Sequence, residues 1–351
     1  MAIKRELSCK NLLFVLGLAF FLYDVTIVVA HTSESSIFDV TKFDAKGNGK
    51  PEYTEDGENS NSLAFIQAWQ KACNSIGPSK LVIPKGTFVV AQVLFAGPCQ
   101  SHVTVELHGT ILADPDPSVF PNQELIVFQQ VEGATFTGTG AINVNQPPLA
   151  ADPEKDFSIK FSNATSCVVD GIHSMNPSAF HLLVENSHNI SIINTNFEAT
   201  TVKPNTHSNA IYISGSSLVA VSNSRIKSGD DCITVSGGSS DISITGVTCV
   251  AGQGISVGAQ LDGFHPDYNV KKPNYAKITN VHFKNIRGTT TSNTPLSFAC
   301  NKAAPCDGIE VVDVFLNITS TIGKIANNIL SASCANAKVV FSGKHDGLNC
   351  A

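Results

Sequence analysis

The chain has 351 residues, a charged fraction of 15% and a formal net charge of -6. Phosphate binding requires a basic face, so this acidic balance argues against a nucleic acid as the partner. The sequence has no CxxC pair, no HExxH motif and no Walker-type loop. Neither a metal nor a nucleotide site is indicated, and we expect no cofactor.

Residues 1–30 have the pattern of a secretory signal peptide. A basic stretch with Lys4 and Arg5 precedes the apolar run LLFVLGLAFFLY, and the small-residue sequence VVA closes the segment. A membrane-anchoring segment is the alternative, but Asp24 interrupts an apolar run that is already short for a bilayer. We expect cleavage, which leaves an exported, soluble and monomeric protein with one domain at residues 31–351.

One segment near the N-terminus has helical periodicity. In SLAFIQAWQKACNS, residues 62–75, apolar side chains fall at roughly helical spacing at Leu63, Ile66, Ala68, Trp69 and Cys73. The β-type run KLVIPKGTFVV follows, and almost nothing after it has a helical pattern. The sequence therefore predicts a single helix in an otherwise all-β protein.

A short pattern of alternating apolar residues ending in Gly, Asn or Asp recurs through the rest of the chain. Its middle positions are separated by roughly 23 to 34 residues, the range of stacked repeats, and they are Phe136, Val169, Ile192, Val221, Ile244, Ile278 and Val311. One unit has too little apolar surface for a core, so neighbours must stack. A β-sandwich of hairpins is the alternative. The spacing favours a right-handed parallel β-helix, with the helix capping its open end.

The ten cysteines fit an exported protein, because disulfides persist outside the cell. Cys9 leaves with the signal peptide, so at least one of the remaining nine is unpaired. Spacing does not fix the connectivity, but short loops favour the pairs Cys73 with Cys99, Cys232 with Cys249, Cys300 with Cys306, and Cys334 with Cys350. Cys167 is then the unpaired one and is expected to be a buried small hydrophobe.

Three sequons are candidate sites for N-linked glycans. They begin at Asn163, Asn189 and Asn317. A glycan needs an exposed asparagine, so each is a candidate only if its side chain reaches solvent.

The stretch SRIKSGDDCITVSGG places two carboxylates side by side, at Asp230 and Asp231. Gly-Asp-Asp is common in solvated turns, which is the simpler interpretation. A pair of acids in a cleft is the other, and the residues themselves leave both open.

Several stretches of the chain resemble one family. FDVTKFDAKGNG, AFIQAWQKAC, IPKGTFVV, LFAGPCQS, SGDDCITVSGGSSDISI, GISVG and FKNIRG are similar to plant polygalacturonases, which belong to glycoside hydrolase family 28. The resemblance runs from about residue 38 to the C-terminus. It implies a right-handed parallel β-helix, secretion to the plant cell wall, and inverting hydrolysis of the α-1,4-galacturonosidic bonds of homogalacturonan, the backbone of pectin. It also favours the cleft interpretation of the two aspartates.

An inverting glycosidase needs one protonated carboxyl for the leaving oxygen and one ionised carboxyl that activates water on the opposite face. The resemblance makes Asp230 the acid and Asp231 part of the base. A third aspartate, from an Asn-Thr-Asp-Gly motif one coil earlier, shares the water in family members. Two neighbouring strand residues that face one cleft would need a bulge, which Gly229 could supply.

The sequence departs from the family pattern on both neighbouring coils. The earlier coil reads KPNTHSNAIYIS, so Asn209 falls opposite the missing aspartate and His207 lies nearby. An amide can hold water but cannot take its proton; His207 is either a substitute base or an exposed loop histidine. The next coil reads CVAGQGISVG, so Gln253 replaces the histidine of the family's Gly-His-Gly motif and has no ionisable ring.

A third departure concerns the substrate carboxylate. Family members have a later coil ending in Arg-Ile-Lys, whereas GISVGAQLDGFHPDYNVKKPNYAKITN here passes to the following coil with about one coil too few. The Arg225–Lys227 stretch lies upstream of the aspartates and does not replace it. Lys271 and Lys272 are either substitutes or solvated loop residues, and lysine lacks the planar fork that binds a carboxylate through two hydrogen bonds.

These departures leave three hypotheses. The chain is a working polygalacturonase with impaired activity, a pectin-binding or regulatory paralogue that has lost most turnover, or a splice or gene-model variant without one coil. Fold alone does not decide among them, because function depends on the site.

Overall fold

Most of the residues that the structure describes form a right-handed stack of parallel β coils, as the repeats predict. The computed structural model describes residues 35–144, 156–199, 209–258, 277–319, 330–345 and 347–350. These residues belong to one unit that starts at Ser35. The proposed signal peptide, His207, Lys271 and Lys272 lie outside the described residues. No helix among the described residues is long and apolar enough to cross a membrane.

Each coil contributes strands to three faces, here named A, B and C. Face A contains β1 (Ser36–Asp39), β2 (Ser79–Ile83), β5 (Val103–Leu107), β8 (Ala134–Gly138), β11 (Thr165–Asp170), β14 (His188–Ile193), β17 (Ser217–Ser222), β20 (Ser240–Thr245), β23 (Thr279–Thr290), β25 (Cys306–Ile318) and β27 (Ala337–Ser342). Face B contains β3 (Thr87–Val90), β6 (Thr110–Ala113), β9 (Ala141–Asn143), β12 (His173–Met175), β15 (Asn196–Glu198), β18 (Arg225–Lys227) and β21 (Thr248–Gly252), followed by the C-terminal halves of β23 and β25.

Face C lies next to the predicted site residues Asn209, Asp231 and Gln253, each of which precedes one of its strands. Its strands are β4 (Val93–Ala96), β7 (Glu124–Gln129), β10 (Phe157–Ser162), β13 (Phe180–Glu185), β16 (Ile211–Ser214), β19 (Ile233–Val235), β22 (Ile255–Val257), β24 (Leu296–Ala299) and β26 (Ala332–Ala335). They pair in this order along one sheet, always parallel. Because β22 pairs directly with β24, the stack closes without a gap downstream of Gln253.

The repeat positions form the core of face A, with one correction. Phe136, Val169, Ile192, Val221, Ile244 and Val311 occupy equivalent positions in paired strands. Ile278 does not, because the partner of Ile244 is Phe283. Both AKITN and VHFKN fit the repeat pattern, and our prediction used AKITN, which is the wrong segment. The strand begins at Thr279 and places Phe283 of VHFKN in the core.

One helix, α1 (Ser60–Cys73), covers the N-terminal end of the stack. It begins two residues before the predicted 62–75 because the side chain of Asn59 accepts a hydrogen bond from the Ser62 N–H and caps it there. Its buried apolar face contains Ala64, Phe65, Ala68, Trp69, Ala72 and Cys73. Leu63 and Ile66, which were predicted on this face, are only half-buried. Two 3-10 turns, Val40–Phe43 and Pro117–Val119, complete the helical elements in the described ranges.

The four expected disulfides are present. They join Cys73 to Cys99, Cys232 to Cys249, Cys300 to Cys306, and Cys334 to Cys350. Cys167 is a free, buried thiol, as expected. The Cys232–Cys249 bridge follows Asp231 directly, so it ties the aspartate turn to strand β21.

Candidate active site

Three consecutive coils bring the predicted site residues together. Asn209, Asp231 and Gln253 each lie two residues before a face C strand, and the residues Ile211, Ile233 and Ile255 that follow are register partners. The side-chain oxygen of Asn209 accepts a hydrogen bond of 2.9 Å from the Asp231 N–H. The Gln253 N–H donates to the Asp230 carbonyl oxygen at 2.8 Å.

The aspartate pair lies in a bend between β18 and β19, so the bulge expected at Gly229 is not required. Ser228 is fully buried beneath this bend, and its hydroxyl donates to the Asp230 carbonyl oxygen at 2.9 Å. Residues of a bend are not bound by strand alternation, so neighbouring side chains need not face opposite ways.

Gly252 is a site residue that sequence analysis missed. A Cβ atom there would lie 2.7 Å from the Asp230 carbonyl oxygen and 2.8 Å from the Ser228 hydroxyl. Both distances are shorter than van der Waals contact, so only glycine lets the coil of Gln253 approach the aspartate bend this closely. The available signal was the Gly-Gln-Gly sequence, in which the first glycine precedes the replaced histidine.

The Asp231 carboxylate has two hydrogen-bond partners on the outer surface of face C, Thr234 and Ser256. Thr234 donates to an Asp231 carboxylate oxygen at 3.4 Å. The pKa of Asp231 is raised to about 6, mainly by burial and also by the charge of Asp230, against opposing hydrogen bonds from Ser256 and Thr234. The carboxyl of Asp231 therefore exchanges its proton in the mildly acidic range.

The outer surface of face C differs on the two sides of the pair. Toward the N-terminus the side chains are buried and mostly apolar, and they are Phe157, Phe180, Leu183 and Tyr212. On the same side of the pair, Lys160 contacts Glu124 at 2.8 Å and Glu185 at 3.1 Å. Toward the C-terminus the equivalent positions are small and polar, and they are Ser256, Ser297 and Ser333.

The Arg225–Lys227 stretch lies on another face of the stack, away from the face C strands that follow the predicted site residues. Arg225–Lys227 is strand β18 on face B, where Lys227 lies 3.4 Å from Glu198, so this stretch does not replace the missing cationic coil. Nothing in the described ranges gathers three His, Cys, Asp or Glu residues in a geometry for a metal ion.

The sequence was also compared with protein families and with known proteins. The family model described as glycosyl hydrolases family 28 matches residues 73–271 and 264–339. An exopolygalacturonase of Arabidopsis thaliana is 30% identical over 393 residues, covering 90% of this chain and 88% of that protein. A polygalacturonase of Gossypium hirsutum is 27% identical, covering 92% of this chain and 93% of its own. The Arabidopsis alignment is longer than this 351-residue chain, so that relative carries segments that are missing here.

Solved structures show the same fold at low sequence identity. A family 28 exopolygalacturonase of Yersinia enterocolitica matches with a TM-score of 0.62 and 14% identity over 90% of this chain and 67% of that one. A polygalacturonase of Erwinia carotovora matches with a TM-score of 0.59 and 13% identity over 87% of this chain and 96% of that one. With its fold, its sequence match and its resemblance to plant polygalacturonases, the chain belongs to glycosyl hydrolase family 28.

Proposed function

We propose that this protein hydrolyses the α-1,4-galacturonosidic bonds of homogalacturonan with inversion, at a reduced rate, outside the cell in the plant cell wall. The observation that supports this most is the placement of Asp230 and Asp231 between Asn209 and Gln253 on consecutive coils of face C. Two carboxyls in a partly buried bend provide the acid and base that glycoside hydrolysis needs.

In this proposal Asp230 protonates the leaving oxygen and Asp231 activates the attacking water. With Asn209 in place of a third aspartate, Asp231 is the only carboxylate of the base. Its raised pKa makes it a stronger base than an ordinary aspartate once it is ionised. The amide of Asn209 fixes the Asp231 backbone through its side-chain oxygen, a positioning role that an aspartate would also fulfil.

The reduced rate follows from what the site lacks. Loss of a general base typically costs about 10² to 10⁴-fold in rate. Gln253 offers hydrogen bonds to substrate hydroxyls but no imidazole. On the described part of the coil after Gln253, Thr294 and Ser297 are uncharged, so neither can act as a cationic clamp. His207, Lys271 and Lys272 stay candidate ligands for the substrate.

The proposed location rests on the N-terminal signal pattern and on the disulfides, which favour an oxidising compartment. The three sequon asparagines, Asn163, Asn189 and Asn317, are all exposed. We include them as glycan sites in the proposal, and mass spectrometry of the secreted protein before and after glycosidase treatment tests each one.

The test of the proposed reaction is the release of new reducing ends from galacturonan by the purified secreted protein. We expect slow release that the variant Asp230→Asn abolishes, and an initial product whose anomeric configuration, followed by NMR, is opposite to that of the substrate bond. Retention of configuration, or equal release by wild type and Asp230→Asn, would refute the proposal.

The exchange of a carboxylate for Asn209 also favours a second candidate, a pectin-binding protein with no turnover. Retained galacturonan binding without any new reducing ends would support it. The third hypothesis, a splice or gene-model variant, is tested by the transcript across residues 258–275: an in-frame extra coil with Arg-Ile-Lys would establish it.

A further inference from the structure

Two hydroxyl side chains contact the carboxylate of Asp231. Thr234, three residues farther along the chain, donates to it at 3.4 Å, and Ser256 donates to it from the following coil. Both residues are largely removed from water, since Thr234 is 1% exposed and Ser256 is 9% exposed. A partly buried carboxylate needs donors that replace its lost hydration, and each hydroxyl provides one.

The stacking of two coils brings these hydroxyls together. Thr234 of β19 and Ser256 of β22 are register partners on adjacent parallel strands. Neighbouring strands lie about 4.8 Å apart, so side chains at paired positions on one face are neighbours. Their joint contact with Asp231 therefore forms only when β22 pairs with β19 in this register.

The backbone of the site is held in the same register. The Gln253 N–H donates to the Asp230 carbonyl oxygen at 2.8 Å, which joins the coil of Ser256 to the aspartate bend. From the preceding coil, the side-chain oxygen of Asn209 accepts a hydrogen bond of 2.9 Å from the Asp231 N–H. Asp231 is thus held through its backbone by the preceding coil and through its carboxylate by its own coil and the following one.

A purely structural role is the simpler interpretation of the two hydroxyls, because Ser297 and Ser333 continue the same row on the next two coils. Position in this row therefore assigns no function. Thr234 and Ser256 are distinguished by the group that they contact, which is a carboxylate that must be ionised to act as a base. A hydroxyl that donates to a carboxylate stabilises its ionised form.

We propose that Thr234 and Ser256 form a clamp that fixes the Asp231 carboxylate and favours its ionised form. Both are positioning residues, because they act through the base. This inference rests on the proposed hydrolysis, in which Asp231 is that base. The titratable groups that the described elements bring near Asp231 are Asp230 in the same bend and Tyr212, whose strand β16 pairs with β19.

The test measures the pKa of Asp231 directly, by NMR of protein labelled with ¹³C at its aspartate carboxyls, with Asp231→Asn to identify the signal. We expect Ser256→Ala to raise this pKa by about one unit, the effect of one hydrogen bond to a charged group. Thr234→Val should raise it by less, because a 3.4 Å contact is long for a hydrogen bond. The acidic limb of kcat/KM for galacturonan should move to higher pH with the pKa.

Two control variants separate the clamp from a structural role. Ser256→Thr keeps a hydroxyl on the same strand and should retain the wild-type pKa of Asp231. Ser333→Ala removes a hydroxyl from the same row two coils away and should also leave this pKa unchanged. His207, Lys271 and Lys272 are the same in every variant, so any influence they have on the pKa cancels in the comparison.

An unchanged pKa of Asp231 in Ser256→Ala would overturn the inference, and so would an equal rise in Ser333→Ala. The expected rise in a protein that releases no new reducing ends would support the clamp while refuting the proposed hydrolysis. Reducing-end release that Asp230→Asn abolishes, together with an unchanged pKa in Ser256→Ala, would support the hydrolysis and refute the clamp.

Discussion

Asp231 is the residue whose ionisation decides how the site responds to pH. Its pKa is raised to about 6, first by burial and then by the charge of Asp230. If Asp231 is the base, it must be ionised in the free protein before water can be activated. The pKa of this one carboxyl therefore sets the acidic limit of activity.

We expect kcat/KM for galacturonan to rise with pH through about 6, because this parameter reports the ionisation of the free enzyme. Initial rates at low substrate concentration between pH 4 and pH 8 measure it. A rate that instead falls as pH rises through this range would make Asp231 the acid and reverse the two roles proposed above.

The same raised pKa predicts a stability effect of defined sign. The folded-state pKa exceeds the unfolded value of 3.8, so the contribution of Asp231 to stability is present below that value and is lost as pH rises through about 6. Asp231→Asn should therefore raise the free energy of unfolding at pH 7, by up to about 3 kcal/mol, and have little effect near pH 3.

Urea unfolding of the wild-type protein and of Asp231→Asn at pH 7 and pH 3 checks this prediction. Asp241→Asn is the control, since Asp241 is an exposed carboxylate whose pKa is lowered by hydrogen bonds from Asn280 and Ser240. Equal destabilisation by Asp231→Asn at both pH values would contradict the account.

The strands of face C hold a buried charge cluster whose three members, Lys160, Glu124 and Glu185, come from three consecutive coils. Burial lowers the pKa of Lys160, but the charges of Glu185 and Glu124 outweigh it and leave the pKa raised. The Lys160 side chain is 17% exposed and that of Glu185 only 5%. Because water solvates them poorly, each charge is stable in the fold only while its oppositely charged partner is present.

Lys160→Ala should lower the free energy of unfolding by about 3 to 5 kcal/mol, because it leaves two largely buried carboxylates without their cation. Replacing all three ions, with Lys160→Met, Glu124→Gln and Glu185→Gln, should recover most of this loss. Denaturant titration distinguishes the cases, and a loss below about 1 kcal/mol for Lys160→Ala would show that the pairs behave as surface ion pairs.

The sequence predicted those elements whose residue pattern recurs along the chain, and it missed features that arise only when particular coils stack. The repeats predicted the coils, because core positions recur once per coil. They failed at Ile278, where two overlapping patterns competed and only packing favoured Phe283. The aspartate pair was recognisable from its neighbours, but Gly252 and the Lys160 cluster were not. Their roles depend on which coils stack, and sequence spacing does not specify that register.

For the whole molecule, an aromatic column links the capping helix to the stack. Trp69 of α1 stacks on Phe95 at 4.8 Å, and the column continues through Phe128 to Phe161. The indole N–H of Trp69 donates to the Ala96 carbonyl at 2.9 Å. In a solenoid each coil contacts its neighbours only, so the cap protects the first coils most directly.

Trp69→Ala should lower the free energy of unfolding by about 3 to 5 kcal/mol through lost packing. Hydrogen exchange followed by mass spectrometry should show faster exchange in β2 to β4 and unchanged protection around β19. Trp69→Phe is the matched control, because it keeps an aromatic ring and loses the hydrogen bond. Uniform loss of protection along the stack would contradict the nearest-neighbour account.

We propose that Asp230 and Asp231 form a hydrolytic pair that the exchanges at Asn209 and Gln253 have weakened. The most direct measurement is kcat/KM for galacturonan in the double variant Asn209→Asp with Gln253→His, compared with wild type and with the same variant carrying Asp230→Asn. We predict a gain of about 10²-fold or more that Asp230→Asn abolishes, as for a restored general base. No gain in a double variant that folds and binds as wild type does, or a gain that survives Asp230→Asn, would contradict the account.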